Sequence, residues 1–208
     1  MALKQTPSQT VGPFFAYGLT PEQYGYDLTS VADGMVRDDS TAGTHIRIEG
    51  RVLDGQGDVV SDAMIEIWQA DAQGRYAHPD DPRGSNADFA GFGRQGTGTD
   101  PQSRFRFDTV KPGATAEGSA PHISLIVFAR GLPSHAYTRI YFADEATANA
   151  TDPVLSQVPA ERRETLIASQ TDGSGVPTYC FDIHLQGESD TVFFDVELDA
   201  AGPVRFHH

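Results

Sequence analysis

From His45 onward, hydrophobic and polar residues alternate along this chain, and that alternation is typical of half-buried β-strands. Ile46, Ile48, Gly50 and Val52 alternate with polar neighbours before the turn at 54–57. Similar short runs follow, separated by turns rich in Gly, Pro and Asp, at residues 63–68, 105–107, 137–142, 179–185 and 192–198. Because no long helical pattern intervenes, the sequence predicts an all-β fold, a β-sandwich or related barrel of mostly antiparallel strands.

One run, residues 123–128, departs from strict alternation because it is almost continuously apolar. Such a run predicts a strand buried on both faces of the sheet. His122 precedes the run and Arg130 follows it, so a rigid strand would present a titratable ring at one end and a fixed cation at the other. The residues alone leave two interpretations open: a functional site, or a hydrogen-bonded core histidine and a surface arginine.

Helices are expected to be few and short. Residues 160–168, after Pro159, carry the clearest helical pattern, and residues 144–150 carry a weaker one. Residues 69–98 form a long Gly- and Asp-rich segment, which is typical of either a functional loop or a flexible one.

Residues 1–44 lack any sustained period and are predicted to form an N-terminal arm, followed by one β-sandwich domain over 45–208. Pro13 restrains its own backbone and disfavours helix at Gly12, so this part of the arm should run extended. Phe14 and Phe15 then need a surface on which to bury. That surface belongs either to this domain or to another chain.

Composition narrows the possible functions. A formal net charge of −14 and a pI near 4.7 make nucleic acids and anionic membranes poor partners. The single cysteine, Cys180, allows no internal disulfide. The N-terminal residues show no signal-peptide pattern and no apolar run approaches a membrane span, so we expect a soluble, cytoplasmic protein. Zinc-protease, zinc-ribbon and dinucleotide-binding motifs are also missing from the sequence.

Several longer motifs, in order along the chain, carry a family resemblance. They are IEIWQADAQGRY at 65–76, GFGR at 91–94, VKPG at 110–113, PHIS at 121–124, FARG at 128–131 and TRIYF at 138–142, preceded by TPSQT at 6–10. This set resembles the intradiol ring-cleavage dioxygenases over almost the whole chain. The resemblance implies a β-sandwich fold and an enzyme that uses Fe(III) to open aromatic rings.

The resemblance also implies four iron-ligand positions, two tyrosines and two histidines. They fall on Tyr76, Thr115, His122 and Ser124, so only Tyr76 and His122 retain a ligand-type side chain. Tyrosinate and imidazole suit Fe(III), whereas two such ligands alone would hold it weakly. We therefore expect a vestigial site, with no catalytic residue and no tightly bound metal in this chain, and Tyr76 and His122 as ordinary hydrogen-bonded residues.

Within the family, this loss implies an iron-free α subunit of a hetero-oligomer whose β subunit holds the Fe(III). The α subunit would line the substrate pocket with residues of the arm, and the resemblance places them at Thr10, Gly12, Pro13 and Phe14. Many relatives have Tyr where this chain has Phe14. Arg130 would pair with a substrate carboxylate in forked geometry and favour protocatechuate over catechol. Its alternative role is a structural ion pair, and Arg139 is expected to be a structural strand residue.

The implied reaction belongs to the complex, which would insert both atoms of O₂ between the hydroxyl-bearing carbons of protocatechuate. The product would be 3-carboxy-cis,cis-muconate, in the β-ketoadipate route of aromatic degradation, and the isolated chain is expected to be inactive. Two alternatives remain. One is a self-sufficient dioxygenase that recruits His78, His135 or His184 as substitute ligands. The other is a non-catalytic β-sandwich binding module.

Overall fold

The structure, a computed structural model, describes residues 8–12, 14–84, 89–171, 175–195 and 205–206, and its strands form one sheet of eleven members. The strands are His45–Leu53 (β1), Met64–Gln69 (β2), Phe92–Gly96 (β3), Arg104–Val110 (β4), His122–Phe128 (β5), Ala136–Phe142 (β6), Ile167–Thr171 (β7), Thr178–Cys180 (β8), Ile183–His184 (β9), Phe194–Asp195 (β10) and Arg205–Phe206 (β11). The predicted all-β class is confirmed.

The sheet curls until its two end strands approach each other. The strand order is β3-β2-β5-β6-β7-β8-β1-β4, with β9 beside β1 and with β10 joining β6 to β11. Most neighbours are antiparallel, whereas β6 with β7, and β1 with β8 and β9, are parallel. At the two ends, a Cβ placed on Gly93 of β3 would lie 3.0 Å from the Phe107 ring of β4. The sheet is therefore an almost closed barrel around one core.

The interior of the barrel is filled by the alternating apolar residues of the strands, as the period-two pattern predicts. Its fully buried members include Ile46, Ile48, Ile65, Ile67, Phe105, Phe107, Ile123, Leu125, Ile140 and Phe142. A second, smaller cluster lies outside the barrel and packs around Tyr141. It comprises Ala120, Tyr141, Leu155, Val158, Leu166, Val192 and Phe194.

The prediction that β5 is buried on both faces is wrong. Its inner residues are fully buried, but Ser124, Ile126 and Phe128 on the outer face are only half-buried. The reason is that single side chains, rather than another layer, cover the outer face near its end. The rings of Phe15 and His135 lie 6.4 and 5.5 Å from the Phe128 ring.

Helical segments are short, as expected, but their type and position differ in part from the prediction. Residues 160–168 form a 3₁₀ helix over Ala160–Leu166, and the last two residues already belong to β7, because buried Leu166 leads the chain directly into that strand. The weaker pattern becomes a 3₁₀ turn, Ala143–Glu145, followed by the helix Ala146–Asn149. The arm contains a helix at Phe15–Leu19 that the pattern did not predict, and a 3₁₀ turn at Glu22–Tyr24.

The arm lies on its own domain through specific hydrogen bonds. Ser8 Oγ donates to the carbonyl of Pro133 at 2.9 Å, and Gln23 bonds both the N–H and the carbonyl of Gly96. Several apolar side chains of the arm stay uncovered all the same, with Phe14 76% and Val31 92% exposed. The division between an arm at 1–44 and a domain at 45–208 stays a prediction. Among the described residues, no helix has both the length and the apolar content that a bilayer span requires.

Candidate functional site

We call the four positions to which the resemblance assigns iron ligands, Tyr76, Thr115, His122 and Ser124, the remnant site. Tyr76 and Thr115 line one cleft, and Trp68 stacks on Tyr76 while it faces Ser124 in the sheet. His122 and Ser124 lie two residues apart on β5 and share its outer face. In the sheet register, Ser124 stands between Trp68 of β2 and Arg139 of β6. The register between β5 and β6 therefore places a guanidinium-bearing residue next to the position to which the resemblance assigns the second histidine.

His122 is buried and held in one tautomer. Its Nδ1 lies 2.9 Å from the carbonyl oxygen of Ala120, and because a carbonyl only accepts, Nδ1–H is the donor. Its ring packs against Tyr141, with centroids 5.8 Å apart. Burial and the nearby Arg139 guanidinium lower the pKa of His122, so the imidazole is neutral near pH 7.

Buried Asp152 supports this corner from outside the sheet. Its carboxylate accepts hydrogen bonds from the Ala120 N–H at 2.9 Å and from the Tyr141 hydroxyl at 3.0 Å. The N–H groups of Val154 and Leu155 donate to it as well. Although burial opposes ionisation, these donors hold the pKa of Asp152 below its ordinary value. Asp152 thus fixes the backbone that leads into His122.

Tyr76 is positioned by two turns that pack against each other. Gly74 has φ +78°, and a Cβ on it would overlap the carbonyl oxygen of Ala114, so only glycine permits this approach. The turns are joined by the Gly113 N–H, which donates to the carbonyl of Asp71 at 2.9 Å. This contact places the residues that precede Tyr76 beside the residues that precede Thr115. The sequence of the long loop at 69–98 does not predict this contact.

The Tyr76 ring stacks on Trp68, with centroids 5.9 Å apart and an interplanar angle of 9°. Burial raises the pKa of Tyr76, and the Arg139 and Arg83 guanidinium groups oppose that rise without reversing it. Tyr76 is therefore a neutral phenol at pH 7, not a tyrosinate.

An open cleft of about 690 Å³ lies above Tyr76 and Thr115. Its far wall is an ion pair in which Arg83 binds Asp81 through two nitrogens and also donates to the Thr115 carbonyl at 2.8 Å. Hydrogen bonds from Arg83 and the Tyr76 N–H hold the pKa of Asp81 far below its ordinary value. Both charges of the wall are thus already paired with each other.

The donor set of the remnant site does not fit a ferric ion. Tyr76 and His122 are the only ligand-type side chains of the four, since Thr115 and Ser124 supply aliphatic hydroxyls, of which the Thr115 oxygen lies 3.3 Å from Ser119 Oγ. Such hydroxyls are poor Fe(III) ligands beside phenolate, imidazole or carboxylate. Within the part of the chain that the structure describes, no group of three His, Cys, Asp or Glu side chains is placed to hold a metal.

The three substitute histidines do not complete this set. His135 bonds the Tyr137 hydroxyl at 2.7 Å, beside Phe128. His184 lines a separate surface cavity with Cys180. His78 does share the cleft with Tyr76, but it is exposed and its Nδ1 faces Asp80 at 3.7 Å.

The residues expected to line a substrate pocket lie elsewhere, at the other end of β5. Thr10 Oγ1 accepts a hydrogen bond from the Gly131 N–H at 2.9 Å, so the arm and the Arg130 turn are in direct contact. Gly12 is exposed, with nothing within 4 Å of the position that a Cβ would take, and Phe14 is exposed as well. Pro13 lies outside the described residues.

Arg130 itself is 60% exposed and forms an ion pair with Asp62. This is the structural ion pair that the sequence left open as its alternative role. The pair does not occupy the whole surface of the guanidinium, and the role of Arg130 in substrate binding stays a prediction.

Known proteins of similar sequence show the family of the chain. The Dioxygenase family profile matches residues 19–187. The chain is 56% identical over 196 residues to the protocatechuate 3,4-dioxygenase alpha chain of Burkholderia cepacia, covering 93% of this chain and 98% of that one. The chain belongs to the intradiol dioxygenase family. The resemblance drawn from the motifs is confirmed.

Within the intradiol dioxygenases, the chain is less similar to a beta chain than to an alpha chain. The protocatechuate 3,4-dioxygenase beta chain of B. cepacia is 35% identical, over 80% of this chain and 73% of that one. The intradiol ring-cleavage dioxygenase of Tetranychus urticae superposes with a TM-score of 0.60 at 18% identity, covering 88% of this chain and 94% of that structure. The last comparison concerns the fold alone.

Sequence reasoning missed Asp152 and Tyr141, and it expected Arg139, which does lie on β6, to be only a structural strand residue. Alternation along 137–142 could have shown that 139 and 141 share one face of β6. Their position opposite His122 and Ser124 depends on the register between β5 and β6, and no local pattern reveals that register.

Proposed function

We propose that this chain is the iron-free α subunit of a protocatechuate 3,4-dioxygenase. The observation that carries the proposal is the remnant site. Tyr76 and Thr115 line one cleft, Trp68 links Tyr76 to Ser124, and two of the four positions offer only hydroxyls. The higher identity to an alpha chain, 56% against 35% to a beta chain, supports the same assignment.

In this proposal the partner β chain holds the Fe(III), and the complex cleaves protocatechuate with O₂ to 3-carboxy-cis,cis-muconate. The present chain supplies no redox chemistry. It contributes the shape and charge of a pocket wall at the boundary between the two subunits.

The position of Arg130 supports a pocket on a neighbouring chain. The six residue steps from His122 to Phe128 span roughly 20 Å in a strand. Arg130 lies beyond that end of β5, so a substrate at the remnant site would be out of its reach. An exposed Arg130 acting on a substrate carboxylate must therefore serve a site that another chain completes.

The arm supplies the rest of this wall. Thr10 is bound to Gly131, next to Arg130, and Gly12 and Phe14 follow on the exposed side. Pro13 would stiffen the segment, and Gly12 would let an aromatic ring approach the backbone. An exposed apolar side chain such as Phe14 is also suited to burial against a second chain.

The Arg130–Asp62 pair does not prevent substrate binding. Exposed ion pairs contribute roughly 0–1 kcal/mol, so a carboxylate that binds both guanidinium nitrogens in a drier pocket can displace or share Asp62.

The proposal is tested by O₂ consumption with protocatechuate, using this chain, a β chain and their mixture. We expect neither a rate nor product from this chain alone, and full turnover from the mixture. A rate from this chain alone equal to that of the mixture would refute the assignment.

A further inference from the structure

Arg139 lies beside the remnant site, and its charge has no counter-ion among the described residues. Its guanidinium projects from β6 beside Ser124, and its Nη1 donates to the Tyr141 hydroxyl at 3.4 Å. Over the described residues, that long bond is the only hydrogen bond of the guanidinium, and no carboxylate forms an ion pair with it. Other half-buried arginines of the sheet, such as Arg47 and Arg94, each bind a carboxylate at 2.7–2.8 Å.

The charge of Arg139 acts on both retained ligand-type side chains. It reaches the Tyr141 hydroxyl, and the Tyr141 ring packs on His122 with centroids 5.8 Å apart. On the other side of Ser124, which faces Arg139, stands Trp68, and the Tyr76 ring stacks on Trp68. The guanidinium therefore lies within electrostatic range of both side chains. A cation shared by Tyr76 and His122 would lie within the same range.

Neither of the two nearby carboxylates, Asp152 and Asp81, forms an ion pair with Arg139. Asp152 is engaged by Ala120, Tyr141, Val154 and Leu155, behind the Tyr141 ring. Asp81 is engaged by Arg83 across the cleft. An arginine cannot lose its proton at any ordinary pH, so its charge is permanent.

We propose that Arg139 takes the place of the metal's positive charge and excludes cations from the remnant site. The site thus lost its metal for two separable reasons: two ligands are missing, and a fixed cation stands beside the two that remain. If the chain is the subunit proposed above, Arg139 would confine ferric ion to the partner chain. Only this consequence rests on the proposed function.

The main test restores the ligands with and without the charge. The full-length chain is prepared as Thr115→Tyr/Ser124→His, and the same pair is combined with Arg139→Gln or with Arg139→Lys. Each protein is titrated with ferric citrate, and iron per chain and the tyrosinate-to-iron absorption are measured. We expect the Gln combination to bind iron at least tenfold more tightly than the double variant, and the Lys combination to match the double variant. Equal binding by all three would overturn the proposal.

A second measurement avoids the redesigned ligands, in case those variants do not fold. Arg139→Gln and Arg139→Lys are made singly and titrated with Co(II), whose visible bands report coordination. The part of the signal that is lost on adding His122→Asn is assigned to the remnant site. We expect the remnant site to bind Co(II) at least threefold more tightly in Arg139→Gln than in the unmodified chain. In Arg139→Lys its affinity for Co(II) should be unchanged. No gain with Gln, or an equal gain with both, would show that the charge of Arg139 is not the cause.

Discussion

His122 and Arg130 stand at opposite ends of β5, and the strand between them spans roughly 20 Å. His122 is buried in the remnant site, whereas Arg130 is exposed beside the arm. One strand thus separates the remnant site from a surface cation. In a self-sufficient enzyme the carboxylate-binding residue and the metal would have to serve one substrate. Their separation here agrees with a subunit that acts on a neighbour's substrate.

Arg130→Ala is expected to weaken protocatechuate binding by the complex about ten- to a hundredfold, since a hydrogen bond to a charged group contributes about 1.5–3 kcal/mol. The measurement is the steady-state KM, together with iron per complex, which should not change. Asp62→Asn is the matched control because it frees Arg130 without removing it. An unchanged KM in the alanine variant would remove Arg130 from the substrate pocket.

Gly74→Ala is expected to destabilise the chain by about 2 kcal/mol or more. The new Cβ would overlap the Ala114 carbonyl oxygen, in addition to the cost of about 1 kcal/mol for alanine at positive φ. Gly57→Ala is the control, since Gly57 has φ +85° but nothing within 4 Å of the added atom. Urea unfolding measures both. Equal losses would show that backbone conformation, and not the contact between the two turns, requires Gly74.

Asp152→Ala is expected to cost about 3 kcal/mol, because it leaves several buried donors without an acceptor. Thr151→Ala, at an exposed neighbour, should cost less than about 0.5 kcal/mol. Urea unfolding at pH 7 compares the two. A loss below about 1 kcal/mol for the Asp152 variant would mean that water replaces the carboxylate without difficulty.

The same carboxylate predicts a pH dependence. The pKa of Asp152 is lower in the folded chain than in the unfolded chain, so its contribution is complete above the unfolded value near 3.9. It is lost as the pH falls through the folded value, since the unfolded chain then binds the proton first. Unfolding free energies of the native chain and of Asp152→Asn should therefore converge below about pH 4. A difference that stays constant well into the acid range would contradict the lowered pKa.

The strands of this fold could be predicted because burial on one face leaves a period of two in the sequence, as in Ile46, Ile48 and Val52. Apolar side chains at Ile126 and Phe128 led to the wrong prediction that β5 is buried on both faces. Both side chains lie on the outer face and are only half-buried. The absence of ligand-type side chains at Thr115 and Ser124 is visible in the sequence once the resemblance assigns ligand positions to them. The position of Arg139 beside Ser124 could not be predicted, because strand register sets which residues face each other across the sheet.

The contacts of the arm could not be predicted from the sequence either. Its prolines predicted an extended segment, but the bond from Gly131 to Thr10 joins residues 121 positions apart, and no local signal encodes such a contact. The helix at Phe15–Leu19 is too short to leave a clear period.

The assignment as an iron-free subunit is tested most directly by the iron content and visible absorbance of the chain, purified alone and after co-expression with a β chain. We expect a colourless, iron-free chain alone, and one ferric ion with tyrosinate-to-iron colour per αβ pair in the complex. A lone chain that holds stoichiometric iron and shows that colour would contradict the incomplete ligand set, and with it the assignment as an iron-free subunit.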